Sequence, residues 1–208
     1  MIPRYQKVLF FVLLAAALAM GGILWHLRQR AHQRMLAGED SAPTQAPAVA
    51  PTEQATLLVA NDLDGSLVTE AQALPLPADP GQRARLILGR LLDLYAQPDA
   101  AHPVTGGATG IAQVFLMPAP DAKDSQDADA QMAVVNLTAA FAATHPSGLE
   151  SETLTIMSIC GTLHANFPHV SEVRFLVNGE QRPNLAGHAD LTRTYLTADA
   201  APDSGGTP

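Results

Sequence analysis

Charge, aromatic side chains and cysteine are all scarce in this 208-residue chain: 15% of its residues are charged, 5% are Phe, Trp or Tyr, and Cys160 is the only cysteine. A single cysteine allows no internal disulfide. Its position, far beyond the apolar N-terminus, also excludes a lipid-bearing cysteine directly after an apolar run. The one Trp is Trp25, so the remainder of the chain has no indole on which a sugar ring could stack. The first 34 residues contain no Asp or Glu but carry Arg4, Lys7, Arg28, Arg30 and Arg34. The rest therefore holds seven basic against twenty acidic residues, a net −13. So acidic a remainder repels phosphate backbones and argues against nucleic acid as a partner. Catalytic signatures are missing too. There is no H-E-x-x-H, no G-x-S-x-G, and Gly106, Gly107 and Gly110 precede a strand-like run rather than a helix with a Lys. No enzymatic activity, catalytic residue or cofactor is expected.

What is present is apolar: 47% of residues are hydrophobic, and Val8 to Leu27 form an uncharged run of membrane-spanning length. The run is longer than the ~7 to 15 apolar residues of a cleaved signal peptide and is followed at once by basic residues. An uncleaved single-pass anchor is therefore expected over residues 1–34, with the transmembrane part at 8–27. Pro43, Pro47 and Pro51 punctuate a polar stretch at 35–55, which predicts an extended spacer. A globular domain is expected at 56–196 and a loose tail at 197–208.

Within the domain, Thr56 to Ala60 and Ser66 to Glu70 flank a turn-rich break and predict a hairpin. Asp79-Pro80 supplies a cap and a first-turn proline for a helix running to Pro98, with Ala84, Ile87, Leu88, Leu91 and Tyr95 at helical spacing. Arg83, Arg90 and Asp93 of this helix are expected to face water. Gly89 within it has no rationale in the sequence. Ile111 to Met117 and Gln131 to Asn136 read as paired strands joined by an acidic loop. Ser147 and Glu150 form a capping-box pattern before a helix, one face of which is traced by Leu149, Thr153, Ile156, Met157, Cys160, Leu163 or His164, and Phe167. Val173, Phe175 and Val177 alternate in a last strand that ends at Asn178-Gly179, a strong hairpin-turn signal. The order ββαββαβ predicts an α+β fold, a two-layer sandwich with two main helices on one small mixed sheet.

The candidate chemistry is thin. Asp121, Asp124, Asp127 and Asp129 cluster, but without the turn glycine and terminal Glu of a calcium loop, so a solvated hairpin loop is expected. His164, His169 and His188 lack the spacing of a zinc site, and no metal is expected. Cys160, on an apolar helix face, reads as a packing thiol. Tyr195 is the one aromatic that reads as exposed.

Between Ala133 and Arg193 the chain resembles the GerMN domain family of sporulation and spore germination. The motifs are Val135-Asn136-Leu137-Thr138 with Phe141, Thr162-Leu163 with Phe167-Pro168-His169-Val170, Val173 to Gly179, and Gly187-His188-Ala189-Asp190. The likeness extends over about residues 56–193. It implies a ring-building-motif-like fold and a non-enzymatic domain, exported and tethered at the cell membrane on its extracytoplasmic side. On that resemblance Phe141, Thr162, Leu163, Phe167, Pro168, Val170, Gly179, Gly187, His188 and Asp190 are structural motif positions. The expected partners are the membrane, through a single-pass anchor, and an envelope protein or a second copy. Sporulation-type complex assembly is the implied setting. A peptidoglycan-binding or envelope hydrolase domain is the alternative reading.

Overall fold

The computed structural model describes residues 20–22, 25, 51–120 and 129–200. The chain divides into two units, 1–48 and 49–208. In the first, Met20, Gly21, Gly22 and Trp25 are helical and exposed. Apart from those four, the expected membrane span at 8–27 lies outside the described residues. So do its basic flank, residues 35–50 of the spacer, Asp121, Asp124 and Asp127 of the acidic loop, and residues 201–208 of the tail. Among the described residues no helix is long and apolar enough to cross a membrane.

The second unit is α+β. A hairpin of β1 (Thr52–Asn61) and β2 (Ser66–Pro75) precedes α1 (Pro80–Tyr95). A 3-10 turn (Gly107–Gly110) leads into β3 (Ile111–Pro118) and β4 (Gln131–Leu137), then a short α2 (Ala139–Thr144) and the long α3 (Leu149–Asn166). Next come β5 (Val170–Val177), the two-residue β6 (Tyr195–Leu196) and a final 3-10 turn (Thr197–Ala200). Two ends move relative to the sequence expectation. Thr52 to Ala55 belong to β1 rather than to the spacer, and Thr197 and Ala200, expected in a loose tail, are buried.

The sheet expectation is corrected. There are two sheets, the β1–β2 hairpin and a four-stranded sheet ordered β3-β4-β5-β6, in which β4 and β5 run parallel. The reason lies on the outer edge of β1. Alternate amides there donate to side chains instead of to a strand: Thr56 to Asn166 Oδ1 (3.0 Å), Leu58 to Thr162 Oγ1 (2.9 Å) and Ala60 to the Tyr95 hydroxyl (2.9 Å). Asn166 Nδ2 returns a bond to the Thr56 carbonyl at 2.6 Å. Helix side chains thus complete a strand edge that would otherwise demand a further strand.

The helices follow the sequence at their caps and depart from it on their faces. Asp79 accepts from the Gln82 amide at 2.8 Å and Pro80 opens α1, as expected. Arg83, Arg90 and Asp93 do not simply face water. They bind Glu53, Gln72 and the Ala108 amide respectively. Gly89 finds its rationale in packing, since a Cβ there would lie 3.2 Å from the Ala108 Cβ of the 3-10 turn. In α3 the Ser147–Glu150 capping box does not form. Gly148 is the N-cap, and its amide donates to Glu152 Oε1 at 3.2 Å. The expected single apolar face is also revised. Leu149 is 68% exposed, whereas Glu152, Leu154, Thr155, Ile156, Ser158, Ile159, Cys160, Gly161, Thr162 and Leu163 are all buried. This helix lies between β1, α1, β5 and the last 3-10 turn, so more than one of its sides is covered.

Candidate functional site

Two polar constellations with buried centres hang on α3, and neither Glu152 nor Thr155, their centres, was marked in the sequence. The first is built on Glu152, whose side chain is fully buried. Its Oε2 accepts the amides of Ala186 (3.0 Å), His188 (2.9 Å) and Ala189 (2.8 Å), and its Oε1 stands 2.9 Å from His188 Nδ1. Burial alone would raise this carboxyl. The Ala189 amide, the His188 ring and the Ala186 and His188 amides outweigh it and hold the group at about 2. Gly187, at φ 128°, lets the loop curl so that amides on both sides of it converge on one carboxylate.

The second constellation is a chain of hydrogen bonds. His102 is fully buried, with Nδ1 2.5 Å from Asp62 Oδ1 and Nε2 2.7 Å from the Thr155 hydroxyl. His145 Nε2 approaches the same hydroxyl at 2.8 Å, and its Nδ1 lies 2.8 Å from the Pro146 carbonyl. Donor and acceptor rules assign the protons. A carbonyl can only accept, so His145 Nδ1 carries hydrogen and its Nε2 accepts from Thr155. The Thr155 oxygen must then accept from His102 Nε2–H. Burial, chiefly, keeps the His145 ring below its ordinary value of 6.5.

Asp62, His102 and Thr155 are connected in the order of a carboxylate–imidazole–hydroxyl nucleophile relay. The resemblance stops at the direction of the hydrogen bond and at access, because His102 Nε2–H donates to the Thr155 oxygen and takes no proton from it. Thr155 is fully buried, and its hydroxyl is shared by a second imidazole. Two grooves among the described residues lie elsewhere. One of about 400 Å³ runs between the first turn of α1 and β3 (Asp79, Gly81, Arg85, Val114, Leu116). The other, about 250 Å³, lies beside β4 and β5 (Met132, Val134, Arg174, Leu176). The relay opens into neither groove, and it ties the β1–β2 turn and the segment after α1 to α3.

The positions singled out from sequence take different places in the fold. Phe141, Thr162, Leu163 and Val170 are buried. Phe141, third residue of α2, donates its amide to the Thr138 cap, Thr162 holds β1, and the Leu163 carbonyl accepts the Phe167 amide at 2.8 Å where α3 ends. Phe167 is half-buried and Pro168 exposed just beyond the helix. Gly179, at φ 80°, follows Asn178 at φ 53°, the pair of left-handed residues that an Asn-Gly turn requires. Gly187 and His188 belong to the Glu152 loop, while Asp190 is exposed and accepts the Thr192 amide and hydroxyl at 2.8 and 2.6 Å. Of the three histidines weighed for zinc, His188 pairs with Glu152, His164 with the Thr197 hydroxyl, and His169 is exposed. Among the described residues no group of three His, Cys, Asp or Glu could hold a metal. Cys160 is buried, and its thiol is pushed up by that burial. Tyr195, expected to be exposed, is only 7% so, because it packs edge-on against Phe175 while Arg193 stacks over its ring.

The family described as Germane, sporulation and spore germination, matches residues 59–183. The chain belongs to that family. Three solved structures are similar to it. The tandem GerMN domains of the sporulation protein GerM from Bacillus subtilis share 17% identity at a TM-score of 0.41, over 72% of this chain and 48% of that one. The present chain thus spans about half the length of the tandem-domain protein. The first GerMN domain of the same protein gives 17% identity and a TM-score of 0.38, over 67% and 93% of the respective chains. A putative lipoprotein from Clostridium perfringens gives 15% and 0.33, over 76% and 95%. No curated protein matches the chain. In this GerMN-family member the Gly187-His188-Ala189-Asp190 motif lies beyond the matched span, yet it folds back onto Glu152 within that span.

Proposed function

We propose that this chain is a non-enzymatic assembly module of the cell envelope, held at the inner membrane by its N-terminal apolar run with the 56–196 domain on the extracytoplasmic side. Its partner is an envelope protein or a second copy, in a complex of the sporulation type. The observation that carries this reading is how the family motif is used. Thr162, His188 and Ala189 direct their polar groups to the protein's own backbone and to Glu152, so the motif builds a frame and leaves recognition to the outer surface. The net −13 beyond residue 34 and the burial of Tyr95 and Tyr195 disfavour nucleic acid and stacked sugar as partners. Family membership supports the sporulation-related setting, and the uncharged run at 8–27 supports the tether.

Photo-crosslinking of the full chain in its native membrane, followed by identification of the captured molecule, tests the assembly role. An envelope protein, or the chain itself, is the expected catch. Recovery of glycan strands alone, or turnover of muropeptides by the purified protein, would replace this reading with peptidoglycan binding or hydrolysis. Proteinase added to intact spheroplasts should remove the domain. Its protection would overturn the extracytoplasmic placement.

A further inference from the structure

Among the described residues the outer edges of β1 and β3 are met by specific contacts, and that of β2 is not. On β1 the outward amides are taken by Asn166, Thr162 and Tyr95. On β3 the carbonyls of Ile111 and Ala112 accept from Arg85, and Gly81 of α1 sits so close to the Val114 carbonyl that a Cβ would be 2.8 Å from it. Strand β2 is treated differently. It runs straight for ten residues, with one charge, Glu70, and Val68 48% exposed.

The hairpin register says which backbone groups β2 presents. Thr56, Leu58 and Ala60 turn their amides away from β2, and their partners are Ala71, Thr69 and Leu67. Residues opposite one another in an antiparallel pair either exchange both bonds or both point outward. Leu67, Thr69, Ala71 and, by the same alternation, Ala73 therefore turn N–H and C=O to the open side. Among the described residues nothing pairs with them. Such a row is a template for another strand.

We propose that the β2 edge is the contact through which this chain pairs with a second copy, in an antiparallel two-fold arrangement centred on Ala71. This inference deepens the assembly reading and rests on it. The occupant follows from symmetry and charge. A two-fold axis through a continuous sheet keeps each side chain on its own face, so the numbers of paired residues must sum to an even value. Centring on Glu70 would set two carboxylates directly opposite. Centring on Ala71 sets Glu70 opposite the partner copy's Gln72, Val68 opposite Leu74 and Thr69 opposite Ala73. Gln72 suits this role, because its Oε1 already accepts from Arg90 at 2.7 Å, which leaves its N–H₂ to donate and a guanidinium behind it to attract the carboxylate. The result is a four-stranded sheet, β1-β2 of one copy continued by β2-β1 of the other, with Ala71 in a bonded pair.

Disulfide capture in the full chain tests the register. In a bonded antiparallel pair the two Cα atoms are about 5.5 Å apart, within the range a disulfide bridges. Ala71→Cys should give a disulfide-linked dimer under mild oxidation, with buried Cys160 not competing. Val68→Cys, on the same exposed strand, should not, because its counterpart sits about six residues, or roughly 20 Å, away. Ala71→Lys sets two ammonium groups opposite each other and should weaken self-association about tenfold. Should Ala71→Cys fail to fold by circular dichroism, the Thr69→Cys/Ala73→Cys pair reports the same register. Equal linkage at both positions, none at either, or self-association indifferent to Ala71→Lys overturns the β2 contact. Capture of a different envelope protein without Ala71→Cys linkage removes this contact and leaves the assembly reading intact, whereas capture of glycan alone removes the reading itself.

Discussion

The Ala189 amide points at Glu152 Oε2 from 2.8 Å, across 37 residues of sequence. That bond is one of five that the buried carboxylate collects, and it fixes the loop after β5 to the first turns of α3. A buried carboxylate is tolerable only when its lone pairs are filled, and here amides fill them without a countercharge on the same helix.

Glu152→Gln keeps the shape but loses the charge, and its N–H₂ faces donors where an acceptor is needed. The variant should lose roughly 2–4 kcal/mol of folding stability. Urea denaturation checks it, and a loss under about 0.5 kcal/mol would show that the loop is held by packing instead.

The same group predicts an acid limb. Its folded value near 2 lies below its ordinary 4.5, so its contribution is complete above about pH 4.5 and is lost as pH falls toward 2. The contribution is on the order of 3 kcal/mol. Stability measured from pH 6 down to pH 2.5 should decline, and in Glu152→Gln the decline should be shallower. His145 adds a step at higher pH. Its folded value is depressed, so its share is present above about 6.5 and begins to fall below it.

Thr155→Val removes the hydroxyl that joins two imidazoles and leaves both Nε2 atoms buried without a partner. The cost should be about 2–5 kcal/mol, with Thr155→Ser far milder. Chemical unfolding of both variants decides it, and equal losses would mean that the methyl group, not the relay, matters at this position.

Gly161→Ala pits helix propensity against packing. In isolation alanine favours a helix by about 1 kcal/mol over glycine. Here its Cβ would collide with Leu58 Cδ2 and come within 2.8 Å of the Ala200 carbonyl. The variant should melt lower than the parent by several degrees, and a higher melting temperature would show that the final 3-10 turn yields freely.

Local chemistry made much of the domain legible. The Asp79 cap and Pro80 begin α1, Pro168 follows the end of α3, Asn178-Gly179 makes its turn, and alternation in Val173, Phe175 and Val177 marks β5. Each is settled within a few residues by φ restrictions, a missing N–H or a single near-neighbour bond, so these features, like the family, are legible without the fold. Tertiary structure alone decided the separation of the hairpin from the main sheet, the burial of Glu152 and the linking of His102 to His145 through Thr155. Leu58 meets Thr162 across 104 positions, and Asp62 meets His102 across 40. Periodicity tells which side of an element is apolar. Whether a polar side chain on that element is solvated or buried depends on donors and acceptors that folding carries in from distant parts of the chain.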